Sequence, residues 1–237
     1  MAGLTAGALL AHRGMKVNVL EQNWLPGGCS SSYPRHHFTF EAGATTLVGL
    51  DEHMPLRYLI DQTGIEIDAW KLDIPLRVHL GDGTVLTRYQ DLDKWIAEAI
   101  RVFGVQGQDG FWRECYKISE FVWEYSLRQL AFPPTRFSDL LNAARNASLN
   151  QVRHLRDAFR STDRLLRKHG LDQDPRFRAF VDEQLLITAQ NFAPEVNALF
   201  GSAALCYTIY GNYYCPGGML NLVQPIRNRA QPLLPCD

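Results

Sequence analysis

The stretch that decides the fold is GLTAGALLAHRGMKVNVLE, residues 3–21. The small and straight-chain residues at 3–13 predict a closely packed helix, and Gly14 is placed to end it in the left-handed conformation. Residues 15–20 then predict a short strand, whose carboxyl end is followed by Glu21. Helix, glycine, strand and acid in this order are typical of a nucleotide-binding βαβ unit.

Binding of a dinucleotide would explain why helix, glycine, strand and acid follow one another in this order. A helix N-terminus offers free N–H groups to a pyrophosphate, and a carboxylate about 20 residues later accepts hydrogen bonds from ribose hydroxyls. Glu21 fits this spacing, since it lies eighteen residues after Gly3. The alternative is that Gly3 and Gly7 only allow close helix packing, that Gly14 only ends the helix, and that Glu21 is an ordinary exposed acid. The order of all these features favours the dinucleotide interpretation.

Two further segments extend the pattern. Pro26-Gly27-Gly28-Cys29-Ser30-Ser31-Ser32 has little side-chain bulk, so its backbone can approach a ligand closely. Phe38-Thr39-Phe40-Glu41-Ala42-Gly43 alternates like a strand that runs into a glycine turn. Both segments are candidates for contact with the bound dinucleotide.

Together with residues 3–7, 20–22, 25–29 and 38–46, the later segment 213–222 (YYCPGGMLNL) resembles the phytoene desaturase, carotenoid isomerase and retinol saturase family. These proteins are FAD-dependent oxidoreductases. The family's pattern begins with a strand and Gly-x-Gly-x-x-Gly, of which Gly3 matches only the third glycine. The resemblance therefore implies a chain shortened at both ends.

The resemblance also implies a cofactor site for FAD. Gly3 would pack the helix near the pyrophosphate, and Glu21 would bind the adenosine ribose. Gly27 and Gly28 would pass close to the cofactor, while Gly43 and Ala44 would approach the flavin ring. The candidate cofactor-binding residues are Gly3, Glu21, Gln22, Gly27, Gly28, Cys29, Gly43 and Ala44. No catalytic side chain is indicated.

We expect an α/β fold, α+β overall: an incomplete Rossmann-like FAD-binding domain with an inserted substrate domain of helices and a small β-sheet. The expected divisions are 1–71 for the first part of the FAD domain, 72–215 for the substrate or membrane-associating domain, and 216–237 for the return and tail. A β-hairpin at 74–87 with a Gly-Asp-Gly turn, and a helix capped by Asp91, would begin the substrate domain.

Composition narrows the function classes. The net charge of -1 gives no general attraction to nucleic acid. The five cysteines are odd in number and scattered, which indicates a reducing compartment and no zinc site. His36 and His37 are expected in a surface loop rather than as metal ligands. Without a secretory or membrane-spanning segment, we expect a cytoplasmic or plastid-like location, peripheral to membrane.

Residues 145–169 carry arginines at helical spacings beside an apolar stripe. The pattern fits a solvated charged face, or a basic amphipathic helix on anionic lipid. The resemblance favours the membrane, because the family's polyene substrates dissolve in bilayers. A second alternative concerns Tyr207, Tyr210, Tyr213 and Tyr214, which would border a substrate channel or fill a domain junction.

Two functions compete. The resemblance implies an FAD-dependent oxidoreductase that acts on carotenoid-like conjugated polyenes by desaturation, saturation or cis/trans isomerisation. In that case the cofactor carries the chemistry, and the protein supplies orientation and a dry apolar channel. The alternative is a truncated, non-catalytic fragment that binds an apolar ligand or a partner without FAD, since the central first strand of a doubly wound sheet is missing.

Overall fold

A computed structural model describes residues 1–127 and 156–230 of the 237-residue chain. The chain forms two compact units. Unit 1 is Met1–Pro75 with Gly211–Asp237, described as far as residue 230, and unit 2 is Leu76–Tyr210. Both units combine helices with small open sheets, so the predicted mixed α and β fold is confirmed.

The described helices are α1 (Ala2–His12), α2 (Pro55–Thr63), α3 (Leu92–Phe103), α4 (Gln108–Leu127), α5 (Thr162–Lys168), α6 (Pro175–Ala189), α7 (Ala198–Cys206) and α8 (Leu220–Ala230). The described strands are β1 (Ser32–Arg35), β2 (Phe38–Glu41), β3 (Leu47–Val48), β4 (Trp70–Leu72), β5 (Leu76–His79), β6 (Val85–Arg88) and β7 (Asn212–Tyr214). Three short 3-10 turns add Gly28–Ser30, Arg156–Phe159 and Tyr207–Ile209.

In unit 1, α1 packs against both α8 and α2. Small side chains make this approach possible: Ala8 of α1 is fully buried, and α8 contributes Val223 and Ile226 to the same core. As predicted, α1 ends before Gly14, which has φ +82° and donates its N–H to the Ala11 carbonyl (2.9 Å). The first and last described helices therefore share one core.

The sheets of unit 1 also join distant parts of the chain. Strand β7 lies between β3 and β4 and pairs antiparallel with both. Strands β1 and β2 form a separate hairpin, in which Ser32 lies opposite Glu41 and Tyr33 opposite Phe40. Opposite residues share a face, so Ser32 and Glu41 lie on the side away from the exposed aromatic rings.

The strand predicted at 15–20 is wrong: no described segment pairs with these residues, which form no ladder. A strand is stabilised by hydrogen bonds to a neighbour, and alternation of side chains alone does not supply one. The side-chain alternation is nevertheless used, because Val17 and Val19 both lie against Gly7 of α1.

Unit 2 begins with the β5–β6 hairpin, and α3 follows it; both were predicted. Asp91 caps α3 by accepting a hydrogen bond from the backbone N–H of Lys94 (2.8 Å). Trp95 and Trp112 are fully buried and meet edge to face, with ring centroids 4.9 Å apart. Around them lies the core of the unit, drawn from α3, α4, α5, α6 and α7.

The single basic helix predicted within 145–169 is wrong for its described part, and residues 145–155 lie outside that part. Ser161 separates a 3-10 turn from α5, because Thr162 and Ala198 donate backbone hydrogen bonds across to Val196 and Arg160. The apolar stripe divides as well, since Phe159 is 92% exposed and Leu166 is fully buried. These two residues therefore do not lie on one membrane-facing stripe.

Candidate dinucleotide site

The first turn of α1 is open to a ligand. Gly3 is exposed, and a Cβ atom added there would meet no heavy atom within 4 Å. Gly7, one turn later, is buried, and its Cβ would lie 2.8 Å from the side chain of Val19. Internal packing therefore explains Gly7, whereas no described neighbour requires glycine at position 3.

The two glycines of the first Pro-Gly-Gly loop differ in the same way. Gly27 is buried with φ +113°, and a Cβ there would lie 2.8 Å from the Val223 side chain of α8. Gly28 has φ +60°, is exposed, and has open space where a Cβ would stand. A positive φ strongly favours glycine at both positions, but only Gly28 leaves its backbone uncovered.

The loop and the glycine turn after β2 are joined. Ala44 donates its backbone N–H to the Cys29 carbonyl (2.9 Å), and Ala42 donates to the Ser31 carbonyl (2.8 Å). A Cβ on Gly43 would approach that Cys29 carbonyl to 3.1 Å, so glycine allows the close contact. Four of the predicted site residues, Gly28, Cys29, Gly43 and Ala44, thus lie on two bonded segments.

The predicted ribose-binding residue, Glu21, and the neighbouring candidate Gln22 lie on the surface. Glu21 and Gln22 are both exposed, and Glu21 Oε1 accepts a hydrogen bond from the Asn23 backbone N–H (3.0 Å). Because no strand forms at 15–20, a sheet edge does not hold Glu21 as a complete nucleotide-binding unit would. The carboxylate is free of ion pairs among the described residues and can accept hydroxyl hydrogen bonds.

One side-chain cluster escaped the sequence reasoning. Ser32 Oγ donates to Glu41 Oε2 (2.7 Å), and the backbone N–H of Met219 donates to both Glu41 oxygens (3.0 and 3.2 Å). Leu220 donates its N–H to Ser32 Oγ (3.0 Å). We call these four residues the Glu41 clasp. The opposing positions of Ser32 and Glu41 could have been inferred from a hairpin, but their partners stand 178 or more positions away.

Beside the Glu41 clasp, Gly218 has φ +99°, and a Cβ there would approach Glu41 Oε1 to 2.8 Å and Ser32 Oγ to 2.9 Å. The second Pro-Gly-Gly segment therefore packs closely on the hairpin. The neighbouring Cys215 is buried, and desolvation, together with the carboxylates of Asp68 and Glu41, raises the pKa of its thiol to about 11. Cys29 is exposed, and all four described cysteines are free.

Unit 1 holds a second polar group on its three-stranded sheet. Asp51 Oδ1 accepts hydrogen bonds from the Tyr213 hydroxyl and from Lys71 Nζ, the latter at 2.8 Å. Burial and the hydrogen bond to Asp51 raise the pKa of Tyr213 to about 12. Tyr213 is thus a protonated donor at neutral pH.

The tyrosines predicted near the end of unit 2 are partly buried. Tyr210 stacks on Tyr116 with ring centroids 5.7 Å apart, and burial raises the pKa of Tyr210 far above its ordinary value. Burial also raises the pKa of Tyr207. Their hydroxyls remain protonated at neutral pH and cannot act there as bases.

Neither metal ligation nor a membrane span is found in the part of the chain that the structure describes. No cluster of three His, Cys, Asp or Glu side chains there could hold a metal ion. His36 and His37 are exposed at the turn of the β1–β2 hairpin. None of the helices at 1–127 and 156–230 combines the length and apolar character that crossing a bilayer needs.

Residues 1–63 match the NAD(P)-binding Rossmann-like domain. Prolycopene isomerase 2, chloroplastic, of an Oncidium hybrid cultivar is 27% identical over 96% of this chain and 39% of its own length. A 4,4'-diapophytoene desaturase (4,4'-diaponeurosporene-forming) of Staphylococcus haemolyticus is 24% identical over 98% of this chain and 45% of its own. These matches support the carotenoid desaturase and isomerase family.

A third relative, the all-trans-retinol 13,14-reductase of Danio rerio, is 30% identical over 60% of this chain and 24% of its own length. The chain therefore spans about two fifths of the length of the first relatives, and 24% of this one. The Rossmann-like match covers α1, both segments of the glycine site and α2, so the predicted fold class is confirmed at family level. Residues 1–63 thus match a dinucleotide-binding type of domain.

Proposed function

We propose that this chain carries the FAD-binding and substrate-domain segments of an oxidoreductase that acts on carotenoid-like conjugated polyenes. The observation that carries the proposal is the open first turn of α1. Among the described residues Gly3 has no packing partner, and its φ is not positive, so close approach by an external group is the physical reason for glycine that we propose. A dinucleotide pyrophosphate is such a group.

The residues present fit FAD. Gly3 and Gly28 leave uncovered backbone where side chains would otherwise stand, and the bonded pair Cys29 and Ala44 places a second edge beside Gly28. In this proposal the start of α1 binds the pyrophosphate, and Glu21, with Gln22, binds the adenosine ribose. Gly43 and Ala44 border the flavin, whereas Gly27 serves packing against Val223.

Bound FAD would supply the electron-accepting or electron-donating chemistry that none of the side chains described here offers. The protein's own contribution is to bind, to orient and to exclude water. The tyrosines with raised pKa can donate hydrogen bonds but do not remove protons at neutral pH. This suits a conjugated hydrocarbon, whose reaction at a double bond requires no strong side-chain base.

The proposed substrate class rests on the relatives, whose names include prolycopene, diapophytoene and retinol. We carry over an apolar conjugated polyene, with desaturation, saturation and isomerisation all open. Contact with a membrane surface through 145–169 stays a prediction, because residues 145–155 of that segment lie outside the described part of the chain. A plastid-like or cytoplasmic location, peripheral to membrane, is part of the same proposal.

The test is FAD retention combined with a thiol footprint. The full chain carrying Cys236→Ser is incubated with FAD, freed of excess cofactor by gel filtration, and examined by visible absorption. Alkylation of Cys29 is then followed by mass spectrometry with and without FAD, with buried Cys215 as the internal control. We expect flavin bands that coelute with the protein and at least fivefold slower alkylation of Cys29.

A protein without flavin bands, whose Cys29 reacts equally fast in both samples, would contradict the FAD proposal. If that same protein bound a polyene, the non-catalytic, ligand-binding alternative would be favoured. Flavin bands with full Cys29 reactivity would place FAD elsewhere and contradict the assigned site.

A further inference from the structure

We infer that Glu41 is a positioning residue for the cofactor site, acting through the Glu41 clasp. The inference rests on the proposed function, because it concerns how the FAD-contacting segments are held. Glu41 is two positions before Gly43, and Ser32 is three positions after Cys29. The Glu41 clasp therefore grips the same two strands that lead into both proposed FAD-contacting segments.

The Glu41 clasp binds the start of α8. Met219 and Leu220 stand at the start of α8, where backbone N–H groups lack partners within the helix. Glu41 accepts from the first and Ser32 from the second. A carboxylate at a helix N-terminus is favoured by the helix dipole, and such charge-assisted hydrogen bonds are stronger than neutral ones. The start of α8 is thereby filled by the protein's own groups and is not a phosphate site.

Hydrogen bonds connect the Glu41 clasp to the glycine segments. From Ser32 and Glu41, paired in the hairpin, the bonds continue through Ser31 with Ala42 and end at Cys29 with Ala44. The last two links are backbone hydrogen bonds of 2.8 and 2.9 Å. Loss of the carboxylate would remove the bonds to Met219 and weaken the attachment of α8 to the hairpin that carries the two segments.

Close packing around the Glu41 clasp leaves little room for an alternative arrangement of the hairpin and α8. Gly218 lies so near Glu41 and Ser32 that a Cβ would approach within 2.9 Å of both side chains. Gly27, at the other end of the first loop, lies against Val223 of the same α8. Gly27 of the first Pro-Gly-Gly segment thus packs on α8, and Gly218 of the second packs on the hairpin. A Cβ atom at either position would be too close to its neighbours.

The experiment measures FAD binding to the wild-type chain and to its Glu41→Ala and Glu41→Gln variants. Gln keeps one oxygen acceptor for the Met219 N–H, whereas Ala removes both. We expect at least tenfold weaker FAD binding in Glu41→Ala, and recovery to within about threefold in Glu41→Gln. The bound-flavin absorption bands should broaden in Glu41→Ala and keep their shape in Glu41→Gln. Glu52→Ala, an exposed acid of the same unit, is the matched control and should bind FAD normally.

Hydrogen exchange gives a readout independent of flavin. In Glu41→Ala the peptides that cover 28–31, 42–44 and 219–220 should exchange faster, whereas peptides from α2 should not change. Binding is measured well below the melting temperature of each variant. If Glu41→Ala does not fold, Ser32→Ala serves instead, because it leaves the bonds between Glu41 and Met219 in place and should weaken FAD binding to a smaller degree.

The outcomes separate the two proposals. Failure of the wild-type chain to bind FAD counts against the proposed function, and unchanged exchange at 42–44 in Glu41→Ala then overturns the clasp as well. Wild-type binding that Glu41→Ala leaves unaltered overturns only this inference. Weak binding in Glu41→Ala without recovery in Glu41→Gln would also overturn it, since an acceptor oxygen would not be what matters.

Discussion

At the scale of single residues, the two glycines of α1 separate a ligand-binding role from a packing role. Without FAD, Gly3→Ala should be at least as stable as the wild type. Its free energy of unfolding should rise by up to about 1 kcal/mol, because alanine favours the helix. The same change should weaken FAD binding at least tenfold, since the added methyl occupies the open side of the turn.

Gly7→Ala is the comparison, and it should do the reverse. Its Cβ would lie 2.8 Å from Val19, so we expect a loss of about 1 to 3 kcal/mol in stability. Urea unfolding and FAD titration on both variants measure the contrast. Unchanged FAD affinity in Gly3→Ala would show that Gly3 has no ligand-binding role.

Arg88 poses a different question, that of a cation inside an apolar core. Its side chain is fully buried, its guanidinium stands 4.0 Å from the Trp95 ring, and it donates to the Leu205 carbonyl (2.6 Å) and Thr208 Oγ1 (2.7 Å). Desolvation lowers its pKa to about 10. The charged form at neutral pH is therefore held at a cost, which cation–π contact and hydrogen bonds offset.

Arg88→Ala should destabilise unit 2 by about 3 kcal/mol, because it opens a cavity and leaves buried acceptors without donors. Arg88→Met fills the volume and removes the buried charge, so its loss should be smaller by at least about 1 kcal/mol. Urea unfolding followed by tryptophan fluorescence gives both values. Equal losses would mean that the hydrogen bonds dominate.

At the scale of secondary-structure elements, Glu114 joins α4 to the end of α5. Its carboxylate bonds Lys168 Nζ and His169 Nε2. Burial alone would raise the pKa of Glu114, but the hydrogen bonds from Lys168 and His169 outweigh it and lower the pKa below 4.5. A carboxyl group with a lowered folded-state pKa stabilises the fold above the unfolded-state value, and this contribution disappears as the pH falls through the folded-state value.

At pH 7, Glu114→Gln should therefore be less stable than the wild type by about 1 kcal/mol, a value reduced for the partial exposure of the pair. The difference should shrink as the pH falls below 4.5. Denaturation curves at pH 7, 5 and 3 provide the check. The control is Asp172→Ala, because the Asp172 carboxylate accepts a hydrogen bond from the exposed side chain of Gln173. A difference independent of pH would contradict an ionic origin.

At the scale of the whole molecule, each unit has its own core and its own spectroscopic signal. Trp95 and Trp112 are fully buried in unit 2, whereas the unit 1 tryptophans, Trp24 and Trp70, are 79% and 61% exposed. The change in tryptophan fluorescence on unfolding should therefore report mainly on unit 2, because burial in an apolar core shifts the emission.

Leu59 is fully buried in unit 1 and Leu185 in unit 2. Leu185→Ala should lower the urea midpoint seen by fluorescence, at a cost of about 2 to 5 kcal/mol, whereas Leu59→Ala should shift that midpoint much less. Hydrogen exchange in α1 and α8 should accelerate more in Leu59→Ala than in Leu185→Ala. Equal fluorescence shifts for both variants would show that the two cores unfold together.

Local sequence was sufficient to predict the features that depend on a few neighbouring residues. It predicted α1 and its end at Gly14, the β5–β6 hairpin and the Asp91 cap, because helix propensity, turn glycines and capping depend on a few neighbouring residues. The order of glycines also indicated a resemblance to the carotenoid desaturase and isomerase family, and the comparisons support that resemblance. The individual cofactor contacts stay predictions.

Tertiary structure decided what depends on distant partners. Residues 15–20 alternate like a strand, yet they find no ladder among the described residues and pack on Gly7 instead. Pairing across 160–162 and 196–198 breaks the basic helix that periodicity indicated. Glu41 meets Met219 across 178 positions. Sequence spacing fixes which face a side chain occupies, but only the folded chain supplies the hydrogen-bond partner on that face, and burial without a partner is costly.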